Sequence, residues 1–217
     1  QRPSYPCLYA VSSTLPSFPL QLRFILKDHN YDSDNTLIVE IRSHKLVNAK
    51  FVASAHADAR PGAELSLIVI HNISLPLGHF GTRYVSELFT GQIDPSRHPD
   101  LKGLAGVKVS SHLLIDRNGA TTQFVEFDRR AWHAGRSEFR GRTACNDFSI
   151  GIELAGTDDS VYTDVQYQVL SAICKALMIE YKIGVECIVG HSDIAPGRKT
   201  DPGPGFKWQA FRDTLGP

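Results

Sequence analysis

The chain has 217 residues, of which 42% are hydrophobic and 21% charged, enough apolar side chains for one domain with a real core. Basic and acidic residues balance at 23 each, so bulk charge offers no pull toward nucleic acid or an anionic membrane. No apolar run approaches the roughly 20 residues of a membrane span. None of the four cysteines stands in a C-x-x-C pair, which leaves Cys174 and Cys187 to be read as buried free thiols.

Residues 1–45 differ from the rest and read as an N-terminal extension with the composition of partial disorder. Pro3, Pro6, Pro16 and Pro19 interrupt every candidate leader segment, so a cytoplasmic protein is expected. Short apolar runs at 20–26 and 37–41 flank a polar stretch and have the length of strands or a hairpin. The domain proper is expected over residues 46–217. There, residues 67–71 read as a buried strand ending in His71, and 82–89 as a short helix. Residues 109–115 and 121–125 form a hairpin around Asn118-Gly119. A further strand spans 148–154. The clearest helix spans 163–181, where Thr163 and Gln166 make a capping-box pair and Val169, Leu170, Ile173 and Leu177 share a face. A last strand at 185–189 and a short helix at 208–215 complete the series. Alternating strands and helices predict an α/β fold around one central mixed β-sheet flanked by helices.

The chemistry concentrates at strand ends. His191 to Pro204 packs a histidine, Lys199 and Asp201 into a stretch too rich in Gly and Pro for a regular helix, so a loop directs all three at one centre. Taken singly, His71 and His191 read as core histidines, and Asp201 as turn chemistry. Together they supply two imidazoles and a carboxylate, a ligand set that suits one zinc ion per chain with a position left for water. Glu153 closes the strand at 148–154 and faces away from Ile150 and Ile152. A carboxylate placed there needs a partner or a task, and a general base is the reading favoured over a structural ion pair. Lys199 beside a metal would stabilise an oxyanion. His112 and His133 stand outside the metal set. His133, after Trp132, reads as the wall of a binding cleft. A zinc hydrolase is the expectation.

Several phrases carry a resemblance to a known family. They are His71-Asn72-Ile73-Ser74-Leu75-Pro76, Arg130-Ala131-Trp132-His133-Ala134-Gly135, Cys145-Asn146-Asp147-Phe148-Ser149-Ile150-Gly151-Ile152-Glu153, and Gly190-His191 through Arg198-Lys199-Thr200-Asp201-Pro202-Gly203-Pro204. Over roughly residues 46 to 213 the chain resembles the zinc N-acetylmuramoyl-L-alanine amidases of bacterial cell-wall recycling. The resemblance implies the fold of phage-lysozyme and peptidoglycan-recognition amidases. It also implies zinc on His71, His191 and Asp201, catalysis by Glu153 and Lys199, and substrate contacts from Asn72. The implied partner is a small muropeptide bound by a monomer, with neither nucleic acid nor membrane involved. Two departures stand out: Ala144 occupies a position that is basic in relatives, leaving Arg142 as the candidate for the substrate's anionic end, and the extension has no counterpart. Two other readings are an amidase acting on intact murein outside the cytoplasm, and a non-catalytic muropeptide sensor. The second expects a broken ligand set.

Overall fold

The computed structural model describes residues 30–31 and 37–216. Cys7 and the apolar run at 20–26 lie outside the described residues. A six-stranded sheet organises the domain. Its strands are β1 (Lys50–Phe51), β2 (Leu67–Ile73), β3 (Leu113–Ile115), β4 (Thr121–Gln123), β5 (Ser149–Ala155) and β6 (Ile188–Gly190), in the spatial order β6-β2-β5-β3-β4-β1. β6, β2, β5 and β3 run parallel, whereas β3 and β4 pair antiparallel, so the sheet is mixed as expected. β2 and β5 are apolar and almost wholly buried because parallel strands are covered on both faces.

The helices are α1 (Tyr84–Phe89), α2 (Asp164–Tyr181), α3 (His191–Ile194) and α4 (Trp208–Leu215). α2 starts where the sequence places it. The Thr163 hydroxyl accepts from the Gln166 backbone N–H, and the Gln166 side chain accepts from the Thr163 N–H. Together α2 and α4 cover one face of the sheet. There Ile68, Ile70, Ile150, Ile152, Leu154 and Ile188 meet Leu170, Ile173, Leu177 and Phe211 in one buried cluster. Leu37, Val39 and Ile41 pack on the same cluster, from within the segment expected as an extension. The period of two then fixes the other face. Leu67, Val69, Phe148 and Val189 pack a second apolar cluster at the amino-terminal half of the strands. Toward their carboxyl ends the same face carries His71, Gly151 and Glu153. Open parallel sheets bind ligands at that end.

Three local expectations need correcting. Residues 185–187 form a 3-10 turn, with Cys187 N–H donating to Gly184 O at 2.9 Å, and the strand begins only at Ile188. Cys187 is accordingly half-buried, while Cys174 is buried. His191 does not lie in an irregular loop but opens the single helical turn α3, which is started by the Asp193 carboxylate accepting from Gly190 N–H at 2.7 Å. The hairpin strand is shorter than 109–115. Residues 110–112 instead make isolated bonds to their neighbours, among them Ser110 N–H to Trp132 O and His112 N–H to Gly151 O, each at 3.1 Å.

Candidate metal and catalytic centre

Parallel pairing places Glu153 of β5 beside His71 of β2, and β6 delivers His191 one residue after its end. The segment after α3 then folds back, so that Ser192 N–H donates to Asp201 O at 3.0 Å. It is seated on residues 157–160. Gly205 N–H donates to Asp158 O at 2.9 Å, and Gly203, at φ +80°, lies so close to the Asp158 backbone that no side chain fits there. Arg198 ties the segment down from above by donating to Ala134 O at 2.6 Å and Arg136 O at 2.7 Å.

Three atoms converge as a result. His71 Nδ1 lies 2.9 Å from His191 Nδ1 and 3.0 Å from Asp201 Oδ2, and His191 Nδ1 lies 3.0 Å from the same oxygen. Both imidazoles are buried, and the carboxylate is nearly so. His191 Nε2 sits 3.1 Å from Ala134 O, which can only accept. Nε2 therefore carries a proton, and in the neutral ring Nδ1 is then the lone pair. Two imidazole nitrogens and a carboxylate oxygen at this spacing fit a cation. Zinc at about 2.0–2.1 Å from each ligand would impose edges near 3.3 Å, close to the observed triangle. Electrostatics favour a neutral His71 and an anionic Asp201. Burial, and then the neighbouring His191, hold the His71 imidazolium down, to a pKa of about 4. Burial pushes Asp201 up, but its contacts with His191 and His71 outweigh it and keep the carboxyl well below its ordinary range.

Glu153 is buried on the same face, and among the described residues its Oε2 has no hydrogen-bond partner. Burial raises its pKa well above the usual carboxyl range. The Asp201 charge adds to this, and the Lys199 cation partly offsets it. Once ionised, a carboxyl with this raised proton affinity and a free oxygen can take a proton from water. Lys199 itself is exposed, with its charge acting on both His71 and Glu153.

The remaining sequence candidates separate. Asn72 adjoins His71 and donates to Asp158 Oδ1 at 2.8 Å. Arg142 is not brought to the cluster. It pairs with Glu64 at 2.8 Å and lies 3.8 Å above the Phe148 ring, on the surface. Ala144 is exposed and left-handed (φ +59°), opening the turn at Cys145–Asp147. His133 is not a free cleft wall, because both ring nitrogens are engaged internally. Nδ1 lies 2.9 Å from His71 Nε2, and Nε2 lies 3.1 Å from Ser149 Oγ. Sequence reasoning missed Ser149. The available signal was that Ser149, Gly151 and Glu153 alternate as the non-aliphatic positions of an otherwise apolar strand.

A family model described as N-acetylmuramoyl-L-alanine amidase matches residues 61–204, which include the whole cluster. The chain belongs to the N-acetylmuramoyl-L-alanine amidase family. It is 55% identical over 168 residues to the 1,6-anhydro-N-acetylmuramyl-L-alanine amidase AmpD of Escherichia coli (strain K12), covering 77% of this chain and 92% of that one. The AmpD of Citrobacter freundii is 54% identical over 173 residues, covering 79% of this chain and 92% of that protein. Among solved structures, a selenomethionine AmpD derivative superposes with a TM-score of 0.79 at 51% identity, covering 81% of this chain and 99% of the other. The amidase AmiD of E. coli, solved with anhydro-N-acetylmuramic acid-L-Ala-D-gamma-Glu-L-Lys, gives 0.51 at 31% identity, covering 81% and 65%. The amidase family's mixed sheet is thus the fold of this chain. Among its described residues no helix is long and apolar enough to cross a membrane.

Proposed function

We propose that this chain hydrolyses the amide joining the lactyl group of 1,6-anhydro-N-acetylmuramic acid to L-alanine, acting in the cytoplasm on soluble muropeptides released during cell-wall recycling. The supporting observation is the convergence of His71, His191 and Asp201 beside the buried, unpartnered Glu153. His71, His191 and Asp201 would hold one zinc ion, which when bound supplies Lewis-acid polarisation of the carbonyl and of water. Glu153 takes the water proton through its free oxygen and returns it to the departing alanine nitrogen. Burial suits it to both tasks, because a raised pKa makes it a stronger base and then a willing acid. Lys199 places a cation where negative charge grows on the scissile oxygen. Asn72, next to His71 and fixed by its bond to Asp158, is a substrate contact in this reading. A sensor would not need both an intact ligand triangle and an orphaned base.

The test is mass spectrometry of products from anhydro-muramyl tripeptide, with and without a chelator. Chelator-sensitive release of the free tripeptide is expected. Binding without cleavage in zinc-replete buffer would refute the reading, and faster turnover on intact sacculi would refute the cytoplasmic assignment.

A further inference from the structure

His71 offers Nδ1 to the ligand triangle, so the fate of its other nitrogen decides whether Nδ1 carries a lone pair. Nε2 does not face solvent or a carbonyl. It faces His133 Nδ1 at 2.9 Å, with the two rings edge-on at 85°. His133 Nε2 in turn faces the Ser149 hydroxyl at 3.1 Å, and Ser149 is wholly buried. The ring of His133 lies directly over Gly151, where a Cβ would come within 2.5 Å of its Cγ. Only a glycine on β5 leaves room for it.

Such a line of groups has two consistent directions of donation. In one, His71 Nε2–H donates to His133 Nδ1, His133 Nε2–H donates to Ser149 Oγ, and His71 Nδ1 is a lone pair. In the other, the Ser149 O–H donates to His133 Nε2, His133 Nδ1–H donates to His71 Nε2, and His71 Nδ1–H donates to Asp201 Oδ2, 3.0 Å away. A carbonyl at the end of the line would allow only the first, since it cannot donate. A hydroxyl allows both, because it rotates to donate or accept. We propose that Ser149 and His133 form a reversible relay that sets the tautomer of His71, satisfying the metal-free site in one direction and the metal-loaded site in the other. His133 and Ser149 are then positioning residues for the metal. This rests on His71 being a ligand.

The experiment has two arms. In wild-type protein, nitrogen-detected NMR of the imidazoles should show His71 as the Nδ1–H tautomer without zinc and the Nε2–H tautomer with it, while His133 changes tautomer in step. An unchanged His71 tautomer overturns the relay. In the second arm, zinc affinity is measured by chelator competition for His133→Leu, His133→Asn and Ser149→Ala. Asn keeps an acceptor where Nδ1 stands, whereas Leu has the same shape and none. His133→Leu should bind zinc about 10- to 100-fold more weakly, His133→Asn should recover most of that loss, and Ser149→Ala should fall between them. Equal affinity in the Leu and Asn variants overturns the proposal. His71→Ala is the control for the ligand assignment: if it keeps zinc, that assignment fails, whereas zinc loss there with normal binding in His133→Leu condemns the relay alone.

Discussion

Gly151→Ala places a single methyl where β5 passes under His133, and opposing effects of known size meet there. Away from the site, alanine in a strand would gain about 0.5–1 kcal/mol over glycine by removing backbone freedom from the unfolded chain. Here the new Cβ would sit 2.5 Å from His133 Cγ, 2.7 Å from Nδ1 and 2.8 Å from Cδ2. Ordinary contact begins at 3.4 Å, so the ring must retreat by about 0.9 Å. Its nitrogens are held by His71 and Ser149, and β5 is buried along its length, so neither side yields freely. Overpacking of this kind costs about 1–3 kcal/mol, which exceeds the propensity gain. The variant should be less stable by roughly 0.5–2 kcal/mol, or about 1–8 °C in melting temperature for a domain this size. Urea unfolding of the zinc-free protein, with an unchanged m value, measures this directly. A Gly151→Ala protein as stable as wild type would show that His133 does not lie over β5.

Glu153→Gln should retain zinc and lose about 10²–10⁴ of the turnover, the range supplied by a positioned general base; stoichiometric zinc with normal kcat would remove Glu153 from the mechanism. The same variant has a pH signature. Burial raises the folded-state pKa of Glu153, so its contribution is fully present below the unfolded carboxyl pKa and is lost as pH rises through the folded value. Zinc-free wild type should therefore weaken relative to Glu153→Gln as pH increases over that window, and parallel stability curves would contradict a buried carboxyl. Lys199→Ala should lower kcat about 10²- to 10³-fold with zinc content intact. A change confined to KM would make Lys199 a binding residue.

The buried strands 67–71 and 148–154 were legible in the sequence because continuous apolar runs have few other uses, and α2 because its capping box marks its start. The candidate cluster was legible because the pattern puts His71 and Glu153 late in apolar runs and Asp201 in a Gly/Pro-rich return after His191. Tertiary partners were not legible. Nothing local says that His133, some sixty residues on, will lie against His71, or that Arg142 will be taken by Glu64 and Phe148. The turn at 185–187 was misread as strand because Val185 and Cys187 are apolar, whereas backbone closure onto Gly184 decided the outcome. α3 was misjudged because the Asp193 carboxylate starts a turn that composition alone argues against.

X-ray absorption at the zinc edge, on protein dialysed to stoichiometric metal, bears most directly on the ligand assignment. Two nitrogen ligands and oxygen ligands at about 2.0–2.2 Å, with the metal lost in Asp201→Ala, are the expected result. A sulfur ligand near 2.3 Å, or full zinc retention in Asp201→Ala, would contradict it.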